Sequence, residues 1–169
     1  MSQALAQAAG CPHVQTMDDA RHQSGSYRDD PAVPAFDDTR PLAVVDGTCA
    51  LCSFSARMIG RFDRREQFQI ATAQGPLGSA LLRHYGMDPA DPDSWLLIVD
   101  GQALTGADGM IEAGARMGGP GWLLQILRLL PRGVREWLYQ RVARNRYALF
   151  GRADICALPD PKLRARLID

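Results

Sequence analysis

Cys49 and Cys52 are separated only by Ala50 and Leu51, follow Asp46, and stand directly after the apolar run Leu42-Ala43-Val44-Val45. Two thiols at this spacing on the first turn of a helix support either of two chemistries. One is thiol–disulfide exchange, in which one sulfur attacks and the other resolves the mixed disulfide. The other is half of a soft-metal site for Zn²⁺ or Cu(I), which needs further ligands. Unpaired amide N–H groups and the helix dipole favour a thiolate at a helix start. Cys49 is therefore the expected nucleophile, and Cys52, one turn further in, the expected resolving thiol.

Asp46 ends the strand three residues before Cys49. Two roles are open to its carboxylate. It can accept hydrogen bonds from the amides of Thr48 or Cys49 and fix the turn, which is the favoured role, or it can take the proton of the resolving thiol. Asp46-Gly47-Thr48 also overlaps the signature of aspartate-nucleophile phosphatases of the haloacid dehalogenase type. That chemistry needs an aspartate where this chain has Val44, and valine cannot attack phosphorus.

Other groups admit two readings each. Cys156 is either a buried structural thiol or a third redox partner or metal ligand. Asn145, Arg146 and Tyr147 either cap the last helix and pair with an acid or line the rim of the site. Cys11, with His13 and His22, lacks a fourth convergent metal ligand. Trp122, Leu123, Leu127, Leu130, Trp137 and Leu138 read as a helix–helix core, with a partner- or membrane-docking face as the alternative.

The elements that position these residues follow from periodicity. Residues 42–46 read as a buried strand. From Ala50 to Asp63, Leu51, Phe54, Met58, Ile59 and Phe62 recur at helical spacing. A short strand over 68–71 precedes a helix from Leu77 to Tyr85, opened by Pro76 and closed by Gly86. Trp95-Leu96-Leu97-Ile98-Val99 is a strand, and Asp100-Gly101 turns it tightly into Gln102-Ala103-Leu104-Thr105. A helix over 107–117 ends at Gly118-Gly119-Pro120. Helices near 121–130 and 132–144 and a helical turn at 147–150 follow. This β-α-β-α-β-β-α order predicts an α/β, thioredoxin-like sheet flanked by helices, with additional C-terminal helices.

With 169 residues, 46% of them hydrophobic, the chain is long enough for one domain with a real core. Residues 1–40 are punctuated by Ser, Gly, Asp and Pro without sustained period and read as a flexible N-terminal extension. The folded domain is expected over 41–160, with a tail from 161 to 169. The formal net charge is zero, so nothing global points to nucleic acid. Residues 112–152 nevertheless hold eight bases against two acids, a net +6, which reads as a solvated helical face before an acidic partner or a membrane. No signal peptide and no apolar span of membrane length is visible, so cytoplasm is the expected compartment.

Beyond the motif, the strand and hairpin at 95–105, Gly118-Gly119-Pro120, Asn145-Arg146-Tyr147 before Phe150-Gly151, and Cys156 with Pro159 give the chain a wider pattern. It resembles the thiol–disulfide oxidoreductase DCC family, named for Asp-x-x-Cys-x-x-Cys, over roughly residues 41–160. The resemblance implies a thioredoxin-like fold and disulfide exchange by Cys49 and Cys52 with Asp46. No organic cofactor is implied. The expected partners are a disulfide-containing protein or low-molecular-weight thiol, together with a thiol-based reductant. One departure from thioredoxin itself is clear: Asp93-Ser94-Trp95 leads into the strand where thioredoxins carry a cis-proline. The competing readings are a soft-metal binding module built on the same cysteines and a non-catalytic adaptor acting through Arg135, Arg141 and Arg144.

Overall fold

A computed structural model describes residues 25–65, 67–153 and 161–168 of the chain. The strands are β1 (Leu42–Val45), β2 (Gln69–Thr72), β3 (Leu96–Val99) and β4 (Gln102–Thr105). The helices are α1 (Ala50–Phe62), α2 (Pro76–His84), α3 (Gly106–Met117), α4 (Arg132–Arg144), α5 (Arg146–Phe150) and α6 (Pro161–Arg164). The order β1-α1-β2-α2-β3-β4-α3 is a thioredoxin-like α/β arrangement, with further helices after the sheet.

The four strands lie in the order β2-β1-β3-β4. β1 runs parallel to β2 and antiparallel to β3, so both of its hydrogen-bonding edges are paired. Asp100 (φ 50°) and Gly101 (φ 74°) make the two-residue turn between β3 and β4, the mirror-image turn whose twist suits a hairpin. Alternation along the strands then sorts the core into two layers. Leu42, Val44, Leu96 and Ile98 pack toward Leu77, Leu81 and Leu82 of α2. Ala43, Val45, Leu97 and Val99 pack toward Ala56 and Ile59 of α1 and Ala113 of α3.

Packing begins earlier and ends later than the expected domain. In place of a flexible extension reaching residue 40, residues 25–40 dock on the first layer. Tyr27 is buried and stacks on Phe36, its hydroxyl donates to Asp38 at 2.9 Å, and Asp30 meets His84 at 2.7 Å. Residues 161–168 are likewise part of the fold and not a tail. Leu163 is buried in the second layer, Leu167 pairs in parallel with Ile70, and Arg166 forms a buried ion pair with Asp63 at 2.5 Å.

The C-terminal helices differ from expectation in two ways. Residues 119–129 wind as a 3₁₀ helix and not an α-helix. Gly118 (φ 74°) and Gly119 (φ 55°) launch it, and it crosses α3 so closely that a Cβ on Gly114 would lie 2.5 Å from the Gly121 carbonyl oxygen. Nor do its apolar residues form a helix–helix core. Trp122, Leu123, Trp137 and Leu138 are exposed, and the neighbouring Leu129 is 86% exposed. Polar clamps hold these elements instead. Asp108 on α3 pairs with Arg132 at 3.4 Å and Arg135 at 2.7 Å, and Glu136 accepts the Ala107 amide at 3.2 Å.

Candidate active site

β1 delivers its C-terminal end to a tight turn. The Cys49 amide donates to the Asp46 carbonyl at 3.4 Å, α1 starts at Ala50, and the Ser53 amide returns to the Cys49 carbonyl at 2.9 Å. Cys49 therefore sits at the N-cap of α1 with Cys52 one turn on, both as free thiols. Their exposure reverses the expected order. Cys49 is fully buried, whereas Cys52 is partly exposed.

The cover over Cys49 comes from the far end of the domain. Arg152 bridges to Cys49 in antiparallel fashion. The Ala50 amide donates to the Gly151 carbonyl at 3.3 Å and the Ala153 amide to the Thr48 carbonyl at 3.1 Å. Gly151, at φ 77°, turns the chain out of α5 into this strap, a backbone conformation that disfavours other residues.

Asp46 is buried and its two carboxylate oxygens are fully engaged. Oδ1 accepts from the Thr48 amide at 2.9 Å, the Thr48 hydroxyl at 2.9 Å and Gln74 Nε2 at 3.2 Å. Oδ2 accepts from the Tyr147 hydroxyl and from Arg146 Nη2 at 3.4 Å. Burial alone would push this carboxyl up, but the hydrogen bonds from Tyr147, Thr48 and Gln74 outweigh it and hold Asp46 below the ordinary carboxylate range. Burial also works against the charge on Arg146, and Tyr147, Asp46 and Asp91 more than restore it. Two guanidinium groups, those of Arg146 and Arg152, each lie 4.4 Å from the Tyr147 ring centroid. Burial first, and then the neighbouring Cys49, push the Cys52 thiol up to about 12.

Cys52 lines a cavity of about 530 Å³. Its walls are apolar side chains of α1, α3, the 3₁₀ helix and α4, among them Leu51, Met58, Met110, Met117, Leu124 and Val142. Asp46, Ser94, Tyr139 and Arg146 also contribute to the lining. Ser94 stands where the sheet is entered without a proline. Its hydroxyl meets the Tyr139 hydroxyl at 2.8 Å and accepts the Gly106 amide at 3.0 Å. Burial pushes the Tyr139 hydroxyl up to about 12, so it is neutral at physiological pH.

The structure thus unites five of the residues singled out in the sequence: Asp46, Cys49, Cys52, Arg146 and Tyr147. Asn145 is not among them, since it is exposed and its side-chain amide returns to the Arg141 carbonyl at 2.7 Å, ending α4. Cys156, Cys11, His13 and His22 lie outside the described residues. Among the described residues no cluster of three or more His, Cys, Asp or Glu side chains forms. Sequence reasoning missed Gln74, Asp91, Ser94 and Tyr139. Gln74 and Asp91 belong to loops with no motif around them. Tyr139 carried a signal only as a polar-tipped aromatic inside an otherwise arginine-rich helix.

A family model described as DCC1-like thiol-disulfide oxidoreductase matches residues 43–152, a span running from β1 to the strap over Cys49. An uncharacterized protein of Bacillus subtilis (strain 168), YuxK, is 31% identical over 127 residues, covering 75% of this chain and 93% of that protein. The chloroplastic DCC family protein At1g52590 of Arabidopsis thaliana is 32% identical over 123 residues, covering 72% of each. No solved structure matches the chain. Among the described residues no helix is long and apolar enough to cross a membrane.

Proposed function

We propose, for a chain that belongs to the DCC1-like thiol-disulfide oxidoreductase family, that Cys49 and Cys52 carry out dithiol–disulfide exchange with Cys52 as the sulfur that meets the substrate. The observation carrying this reading is the pair of free thiols one helical turn apart, of which Cys52 lines the cavity while Cys49 is enclosed by the strap. Burial and the neighbouring Cys49 hold the Cys52 proton tightly, with the thiol pushed up to about 12, so that proton leaves in the step in which the sulfur attacks.

Cys52 attacks the nearer sulfur of the substrate disulfide and gives up its proton as it does so. The substrate S–S bond breaks, a Cys52–substrate disulfide forms, and the departing half leaves as a thiol carrying that proton. Cys49 then attacks the Cys52 sulfur, its own proton passing to the departing sulfur. The mixed disulfide breaks and the second substrate thiol departs. The substrate has gained two electrons and the protein holds a Cys49–Cys52 disulfide, which a thiol-based reductant reopens. Asp46, saturated with donors, holds the turn and fixes Tyr147 and Arg146 beside it. Its role in this scheme is positioning.

The test is trapping. Cys49→Ser protein treated with a disulfide should accumulate a mixed disulfide on Cys52, identified by mass, while Cys52→Ser protein should form far less adduct on Cys49. The opposite pattern would return the attack to Cys49 and require residues 151–153 to lift before each turnover. Neither adduct, with no turnover in the unaltered protein, would sink the exchange reading and favour the soft-metal module on the same cysteines.

A further inference from the structure

The cavity has a chemical bias that disulfide exchange alone does not demand. Its volume of about 530 Å³ lies within the roughly 300–1,000 Å³ of pockets that take drug-sized ligands. Leu51, Met58, Met110, Met117, Leu124 and Leu127 line it, and three of those are methionines, side chains that adapt to an apolar occupant. Arg135 also lines it, tied by one guanidinium nitrogen to Asp108 at 2.7 Å.

Two properties therefore meet in one space: a reactive sulfur in the wall and an apolar body. We infer that the cavity binds a disulfide, or its thiol product, carried on an apolar chain. The inference rests on the exchange reading and names its substrate class. A polar disulfide such as oxidised glutathione would place charged groups against this lining, where they find few partners. An alkyl chain instead removes its surface from water as it enters. The chemical step is the one written above, with Cys52 attacking the chain's sulfur.

A homologous series tests this: the symmetrical disulfides of ω-mercaptoalkanamides with two to eight methylenes, offered to the full chain in its reduced form. Leaving-group chemistry is nearly constant across the longer members, so the series reads the cavity. The second-order rate constant should rise about fourfold per methylene and then level off as the cavity fills. Sulfur-free alkanamides, measured by calorimetry, should bind with the same length dependence. Exchange that proceeds at a rate independent of chain length overturns the cavity assignment and leaves the exchange reading standing. Length-dependent alkanamide binding without exchange on any disulfide does the reverse.

Discussion

Leu97 on β3 and Leu129 on the 3₁₀ helix are the same side chain under opposite conditions: the first is fully buried, the second 86% exposed. The contrast extends to the regions around them. Around the sheet, alternating strand residues interdigitate with α1, α2 and α3 and leave little apolar surface in water. From residue 119 to 150 the apolar residues line a space or face outward, and the helices are held by Asp108, Glu112 and Glu136 meeting arginines and amides. One half is built by filling volume and the other by clamping around it. A cavity beside the dithiol exists because the second half is not packed like the first.

The contrast is sharpest where the sheet half contains a charge pair. Arg166 and Asp63 are both buried, and Asp63 also accepts the Phe68 amide at 2.9 Å. Arg166→Met should cost about 3–5 kcal/mol, because it strands a buried carboxylate, and denaturant unfolding reads the loss directly. Next come the paired leucines. Leu97→Ala should cost about 2–5 kcal/mol, whereas Leu129→Ala should stay within about 0.5 kcal/mol. Equal losses would mean that the two halves share one mode of packing.

An effect between those of the two leucines lies at the junction of the halves, where Tyr147 donates to Asp46. Tyr147→Phe should cost about 1.5–3 kcal/mol, the range for a hydrogen bond to a charged group. The pH dependence has a definite sign. Asp46 has its folded-state pKa lowered, so its contribution is present above the unfolded value near 4 and is lost as pH falls through the folded value. Without Tyr147 the two values move closer, and the acid limb of the stability curve shifts to higher pH. An unmoved acid limb would show that Asp46 gains its charge stabilisation from Thr48 and Gln74 alone.

Much of this architecture can be read from local pattern. The apolar run before Asp46, the Asp100-Gly101 turn and the helical spacing after Ala50 each specify an element that forms largely from its own residues. What escaped notice depends on distant partners. Tyr27 and Phe36 are isolated apolar residues in a polar stretch, and only the sheet face reveals that they dock. The stripe Trp122, Leu127, Trp137 and Leu138 shows where apolar surface lies on each helix, but periodicity does not say whether anything covers it. Burial of Cys49 follows from Gly151–Ala153, about a hundred residues away, and no window around the motif contains that information.

The strap also turns Cys49 into a clock. Because its thiol is enclosed, a bulky alkylating reagent can reach it only when residues 151–153 detach from the turn. With opening fast relative to labelling, the observed rate is the rate for an exposed thiol multiplied by the fraction of time the segment is open. In Cys52→Ser protein, where no second thiol competes, labelling of Cys49 would measure the local opening free energy of this segment, and a ligand seated nearby would register as a slower clock.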